Sequence, residues 1–140
     1  MHPKDCLSFK FRKIERLLAR QYTQVMAEAS LQSTQFTLLT HIKNYGPISI
    51  KDLALNIGTD SSTMSRNLKI LINEGWVKFM TNQDDARTHL VQISLKGNKK
   101  YEEARLLWEK QQTQMIKLLG KKRVGTLNLL LDQTLELLLK

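Results

Sequence analysis

The chain has one cysteine among its 140 residues, so Cys6 has no partner for an internal disulfide. That scarcity suits a reducing compartment, and a cytoplasmic location is expected. No run reaches the roughly 18 apolar residues of a membrane span. The opening Met1-His2-Pro3-Lys4-Asp5 lacks the apolar stretch of a secretory leader, so no membrane partner is expected. His2, His41 and His89 lie far apart and join no Cys/His/carboxylate cluster at ligand spacing, so no metal site is expected. A Gly-x-Ser-x-Gly elbow, a phosphate-binding loop, a dinucleotide fingerprint and a zinc-protease motif are all missing. These absences point away from an enzyme and from a resident cofactor.

What is present is ordinary globular composition, 41% hydrophobic and 25% charged, with a net charge of +9 that suits a polyanionic partner. The charge is unevenly placed. Residues 1–30 carry +3 and residues 31–48 carry +1, whereas residues 49–94 balance to zero and residues 95–140 carry +5. Charge alone is therefore weak evidence for nucleic acid, because the stretch with the most suggestive motif is locally neutral.

Leu7, Phe11, Ile14, Leu18 and Val25 form one apolar stripe on a helix of about residues 5–29. Ser33 and Thr34 suit the cap of a second helix, whose Phe36, Leu39 and Ile42 face inward before Gly46-Pro47 ends it. Ser49 with Asp52 resembles a capping box for a short third helix that bears Leu53 and Ile57 and closes at Gly58. Asp60 caps a fourth helix to about Glu74, with Met64, Leu68 and Leu71 inward and Gly75 at positive φ after it. Strands follow around Trp76 to Met80 and from His89 to Ser94, joined by the polar turn Asn82 to Ala86. Two further helices occupy about 95–119 and 121–139.

The predicted fold is mainly α with a small β-hairpin wing. A winged helix-turn-helix core spans 31–97, and helices over 5–30 and 98–140 flank it within a single domain of residues 1–140. One small core cannot cover the wide apolar faces of those helices, so they are read as dimerisation elements and a homodimer is expected.

Short helix, tight turn, polar-faced helix and hairpin is the order that sets a second helix into the DNA major groove and brings a wing to an adjacent groove. With Met64, Leu68 and Leu71 buried, the fourth helix offers Ser61, Ser62, Ser65, Arg66 and Lys69. Short hydroxyls and helix-terminal N–H groups suit phosphates and base edges, and an arginine can bond guanine bidentately. For an arbitrary amphipathic helix, a solvated face is the ordinary reading. Here the sequence adds Asp60-Ser61-Ser62-Thr63-Met64-Ser65-Arg66, then Leu68, Leu71, Gly75, Trp76 and Val77. It also adds Asp85-Ala86-Arg87-Thr88-His89-Leu90-Val91-Gln92-Ile93-Ser94-Leu95-Lys96-Gly97.

These two stretches resemble the recognition helix and wing of the multiple-antibiotic-resistance regulator (MarR) family, and the likeness covers about residues 31–100. The resemblance implies a sequence-specific regulator of transcription, a ligand-responsive repressor that binds double-stranded DNA as a homodimer on a pseudo-palindromic operator. It implies that Arg87 reaches the minor groove with Asp85 beside it to hold the guanidinium. Lys96, Lys99 and Lys100 follow the wing; contact with phosphate is one reading and plain solvation the ordinary one. Asn67 departs from the family's apolar residue, and either loosens packing or adds a phosphate donor.

Many members of that family respond to a small-molecule effector held between the dimer helices and the core, and its identity here is unknown; His41 is read as lying near that crevice. Others sense oxidants through a cysteine, at a position that falls on Ser8 in this chain. Cys6, two residues away, is the candidate redox residue of an alternative reading, a cysteine-based sensor. The remaining alternative is a winged-helix protein-interaction module, which the neutrality of residues 49–94 favours.

Overall fold

A computed structural model describes residues 2–140. A 3-10 turn, Pro3–Asp5, precedes α1 (Leu7–Ala27). There follow α2 (Ser33–Tyr45), β1 (Ile48–Ser49), α3 (Ile50–Ile57), α4 (Ser61–Asn73), β2 (Val77–Thr81), β3 (His89–Ile93), α5 (Leu95–Leu119) and α6 (Lys121–Leu138). The strands form one antiparallel sheet in the order β1-β3-β2, with Phe79 opposite Val91 and Ile48 also opposite Val91. The mainly helical winged architecture expected from the sequence is present.

Four local readings need correction. The first helix does not begin near residue 5: Cys6 is extended and stands before α1, after a 3-10 turn in which His2 Nδ1 accepts the Lys4 N–H. The second helix is not capped by Ser33 or Thr34. Its cap residue is Gln32, whose N–H donates to Gln35 Oε1 at 2.8 Å, so a side chain from within the first turn reaches back to the cap where a hydroxyl cap was expected. The hairpin has a third strand, β1, which is too short for alternation to reveal and takes its identity from pairing with β3. Ser94, expected to end the second strand, is instead the cap of α5.

The core is continuous from the end of α1 to the early turns of α5. Met26, Leu39, Ile42, Leu53, Met64, Leu68, Leu71 and Val91 are all essentially inaccessible, and Ala104 belongs to the same cluster. A boundary at residues 97/98 therefore falls inside α5, whose first turns pack with the winged core and whose later turns extend beyond it. Beyond the core, α1 and α5 are joined by Tyr22 Oη donating to Gln112 Oε1 at 2.5 Å and by Gln111 Nε2 donating to Gln21 Oε1 at 3.1 Å. Burial raises the Tyr22 phenol pKa, which keeps it a donor. The expected apolar stripe of α1 is largely open in the single chain, with Leu7 68% and Ile14 53% exposed, and α6 buries no residue fully.

At the foot of the wing the chain is tightly constrained. Gly75 takes φ +76°, a left-handed conformation in which a side chain is strained. Ser94 Oγ donates to its carbonyl at 2.6 Å and accepts the Gly97 N–H at 3.0 Å, while the Ser94 N–H donates to Trp76 O at 2.9 Å. Gly97 lies so close to this strand that a Cβ there would stand 1.9 Å from Trp76 O and 2.9 Å from Trp76 Cα. Backbone atoms cannot yield as a flexible side-chain end would. Gly97→Ala should therefore lower stability by about 1–3 kcal/mol or more through overpacking, measured by urea unfolding; an unchanged midpoint would contradict this packing.

Candidate nucleic-acid interface

The turn from α3 to α4 positions the polar helix. Ser49 Oγ accepts the Asp52 N–H at 3.1 Å to start α3, and Gly58 ends it at φ +81°. Two residues later Asp60 caps α4: Oδ1 accepts the Thr63 N–H at 2.7 Å and Oδ2 accepts the Thr63 hydroxyl at 2.8 Å. The backbone bond, then the hydroxyl bond, hold the Asp60 carboxyl below its usual 3.8. Met64, Leu68 and Leu71 are buried as expected, which turns Ser61, Ser62, Ser65, Arg66 and Lys69 outward, and all five are exposed. Arg66 Nη2 donates to Thr63 Oγ1 at 3.2 Å. Asn67 is half-buried and lines a hollow with Thr34, Leu38, Ile57 and Met64, so it faces the core rather than the surface that carries Arg66.

The wing corrects the expected role of Asp85. Its Oδ1 accepts the Arg87 backbone N–H at 3.0 Å and its Oδ2 accepts the Thr88 hydroxyl at 3.0 Å. The Thr88 N–H donates to Asp85 O at 3.0 Å, and the Asn82 N–H donates to Thr88 O at 3.2 Å. Asp85 thus folds the turn, as short acidic side chains do by bonding backbone two residues on. It forms no ion pair with Arg87: among the described residues the ion pairs are Lys100–Glu103, Arg105–Glu102 and Arg105–Glu109. The Arg87 side chain is left exposed at the tip.

Of the three lysines that follow the wing, Lys100 is engaged internally. Its Nζ donates to Ala29 O at 2.7 Å and lies 5.8 Å from the Trp76 ring centroid, so it joins the chain after α1 to the start of the wing. Lys96 and Lys99 remain exposed. His89 is exposed on the wing, with its ring 5.9 Å from that of Phe79.

A separate cleft of about 260 Å³ opens between α2 and α5, lined by Phe36, Thr37, Thr40, His41, Tyr101, Arg105, Trp108 and Glu109. His41 does lie at a crevice between the winged core and a flanking helix. The Thr37 and Thr40 hydroxyls donate to Ser33 O and Phe36 O, so they present only acceptor capacity to the cleft. His41 Nδ1 faces Thr37 O at 2.8 Å; a carbonyl accepts only, so Nδ1 carries the proton. Arg105 is bound by Glu102 and then Glu109, which raise its pKa and neutralise it. The α5 wall was not recognised from the sequence, although Tyr101, Arg105 and Trp108 recur at helical spacing.

Cys6 is half-exposed at the N-terminal end of α1. Because it precedes the helix, Cys6 shares no helical face with Ser8.

The Asp60 cap has a pH signature. A carboxyl with a depressed pKa stabilises the fold fully above its unfolded value, and that support is lost as pH falls through the lower folded value. The Thr63 amide resonance should therefore shift with an inflection below pH 3.8. An inflection at or above 3.8 would exclude the charged cap.

Residues 31–89 match the sequence model of the MarR family. The HTH-type transcriptional regulator YwoH of Bacillus subtilis strain 168 is 30% identical over 88 residues, which cover 63% of this chain and 64% of that protein. The chain thus spans just under two thirds of the curated relatives' length. The Mycobacterium tuberculosis transcriptional regulator MosR, solved in complex with DNA, superposes with a TM-score of 0.79 at 28% identity, covering 94% of this chain and 97% of that one. Escherichia coli MarR, solved as a cysteine-to-serine variant complexed with operator DNA, gives a TM-score of 0.85 at 24% identity, covering 92% and 93%. At that identity the likeness is one of fold. The winged core thus matches the MarR family in sequence, and the whole chain matches the solved MosR in shape.

Proposed function

We propose that this chain is a sequence-specific, DNA-binding transcription regulator of the cytoplasm. It acts by binding rather than catalysis, as a homodimer on a pseudo-palindromic operator of double-stranded DNA, and represses until an effector releases it. The observation that carries this reading is the outward face of α4: exposed Ser61, Ser62, Ser65, Arg66 and Lys69, with Arg87 exposed at the wing tip. It is supported by the DNA present in the solved MosR and MarR complexes. The open apolar faces of α1 and α6 support the dimer, since a second copy would bury them symmetrically. No described helix is long and apolar enough to cross a membrane, so these faces do not read as membrane spans.

The cleft between α2 and α5 is the favoured effector site. Its aromatic walls, the acceptor-only threonines and the excess carboxylate beside Arg105 favour a planar aromatic cation over a carboxylate. N-methylquinolinium should raise the melting temperature of the protein, and benzoate at the same concentration should not. The reverse order would assign the cleft another ligand class.

On operator DNA identified by footprinting, Arg66→Ala should cost about 1–3 kcal/mol per contact and relax preference at one base pair in each half-site. Arg87→Ala should weaken all operators and flatten any preference for A·T-rich flanks, because a wing arginine reads groove width. Both variants should remain dimeric by sedimentation. If neither loses affinity, α4 and the wing are not the DNA surface.

Neutralising about six phosphates per dimer should give a slope of log affinity against log salt near −5. A slope flatter than about −2, or a stable monomer at micromolar concentration, would favour the protein-interaction module instead.

A further inference from the structure

Arg66 is not simply an exposed cation. Its Nη2 donates to Thr63 Oγ1 at 3.2 Å, Thr63 Oγ1 donates to Asp60 Oδ2 at 2.8 Å, and Asp60 also holds the Thr63 N–H. The direction of this chain is fixed by chemistry. A carboxylate only accepts, so the one hydroxyl proton of Thr63 goes to Asp60 and its lone pairs face outward for a donor. The carboxylate polarises that hydroxyl and makes its oxygen a better acceptor. Arg66 lies three residues along, where a helix brings side chains onto one face, and is the donor that completes it. The guanidinium is thereby drawn back over the first turn of α4, onto Thr63. One of its five N–H groups is used and four remain, enough for a two-bond approach to the O6 and N7 of a guanine.

We propose that Thr63, held by Asp60, is a specificity-determining residue that aims Arg66 at one guanine in each half-site. It is a positioning residue, touching DNA through Arg66 and not itself. This inference rests on the reading of α4 as the recognition helix.

The informative variant is Thr63→Val. It keeps the branched shape of a half-buried side chain and the backbone N–H that Asp60 caps, and removes only the hydroxyl. With an operator and its single-base variants, Thr63→Val should reduce the preference for the guanine about tenfold. Affinity for random duplex and the salt slope should not change. Thr63→Ser should restore the preference, and in an Arg66→Ala background Thr63→Val should have no further effect on it. An equal loss on every sequence would make Thr63 a merely structural residue, and an unchanged preference would show that Arg66 needs no tether; either overturns the proposal. If the wild-type chain selects no sequence, the regulator reading fails and base selection fails with it. The tether is then judged by the Arg66 Nε–H relaxation of the free protein. Wild-type order that Thr63→Val abolishes would uphold it, and equal mobility in both would refute it.

Discussion

The bond from the Ser94 hydroxyl to the Gly75 carbonyl is the constraint on which the rest of the structure depends. Ser94 also caps α5 and anchors its own N–H on Trp76 O, so one residue holds the end of α4, both long strands and the start of α5. Each partner is forced by a neighbour. Gly75 is glycine because the chain turns there at positive φ, and Gly97 is glycine because α5 begins against the Trp76 backbone. The face that α4 presents is thus fixed at both ends, by the Asp60 cap at its start and by this junction at its finish.

That arrangement resolves an apparent conflict in the charge. Residues 49–94 sum to zero, yet the acids and bases have different tasks. The carboxylates of Asp60 and Asp85 turn toward backbone N–H groups and hydroxyls, where they shape a helix start and a wing turn. Arg66, Lys69 and Arg87 remain exposed beyond them. Fields at a surface depend on where charges stand as well as on their sum, especially within a screening length of about 8–10 Å.

Most of the fold was legible because its signals are local. The spacing of Met64, Leu68 and Leu71, the Asp60 cap and the glycines at 58 and 75 each act within a few residues. What was missed depends on distant partners. β1 exists only because β3 offers an edge, and Lys100 contacts Ala29 across 71 positions of sequence. Asp85 was misassigned because the family resemblance gave it the Arg87 guanidinium, whereas its partners are the backbone N–H of Arg87 and the Thr88 hydroxyl. The outward residues of α4 followed from periodicity; the connection from Arg66 through Thr63 to Asp60 needed side-chain positions.

The unbroken length of α5 has a mechanical consequence. Its 25 residues extend about 37 Å at 1.5 Å per residue, with the first turns clamped under the wing and the last turns well outside the core. Such a rod magnifies rotation: a tilt of about 5° at the clamped foot displaces the far end by roughly 3 Å over that length. The same geometry works in reverse, as a lever, so a shift of several ångströms at the outer end arrives beneath the wing as a small change of angle.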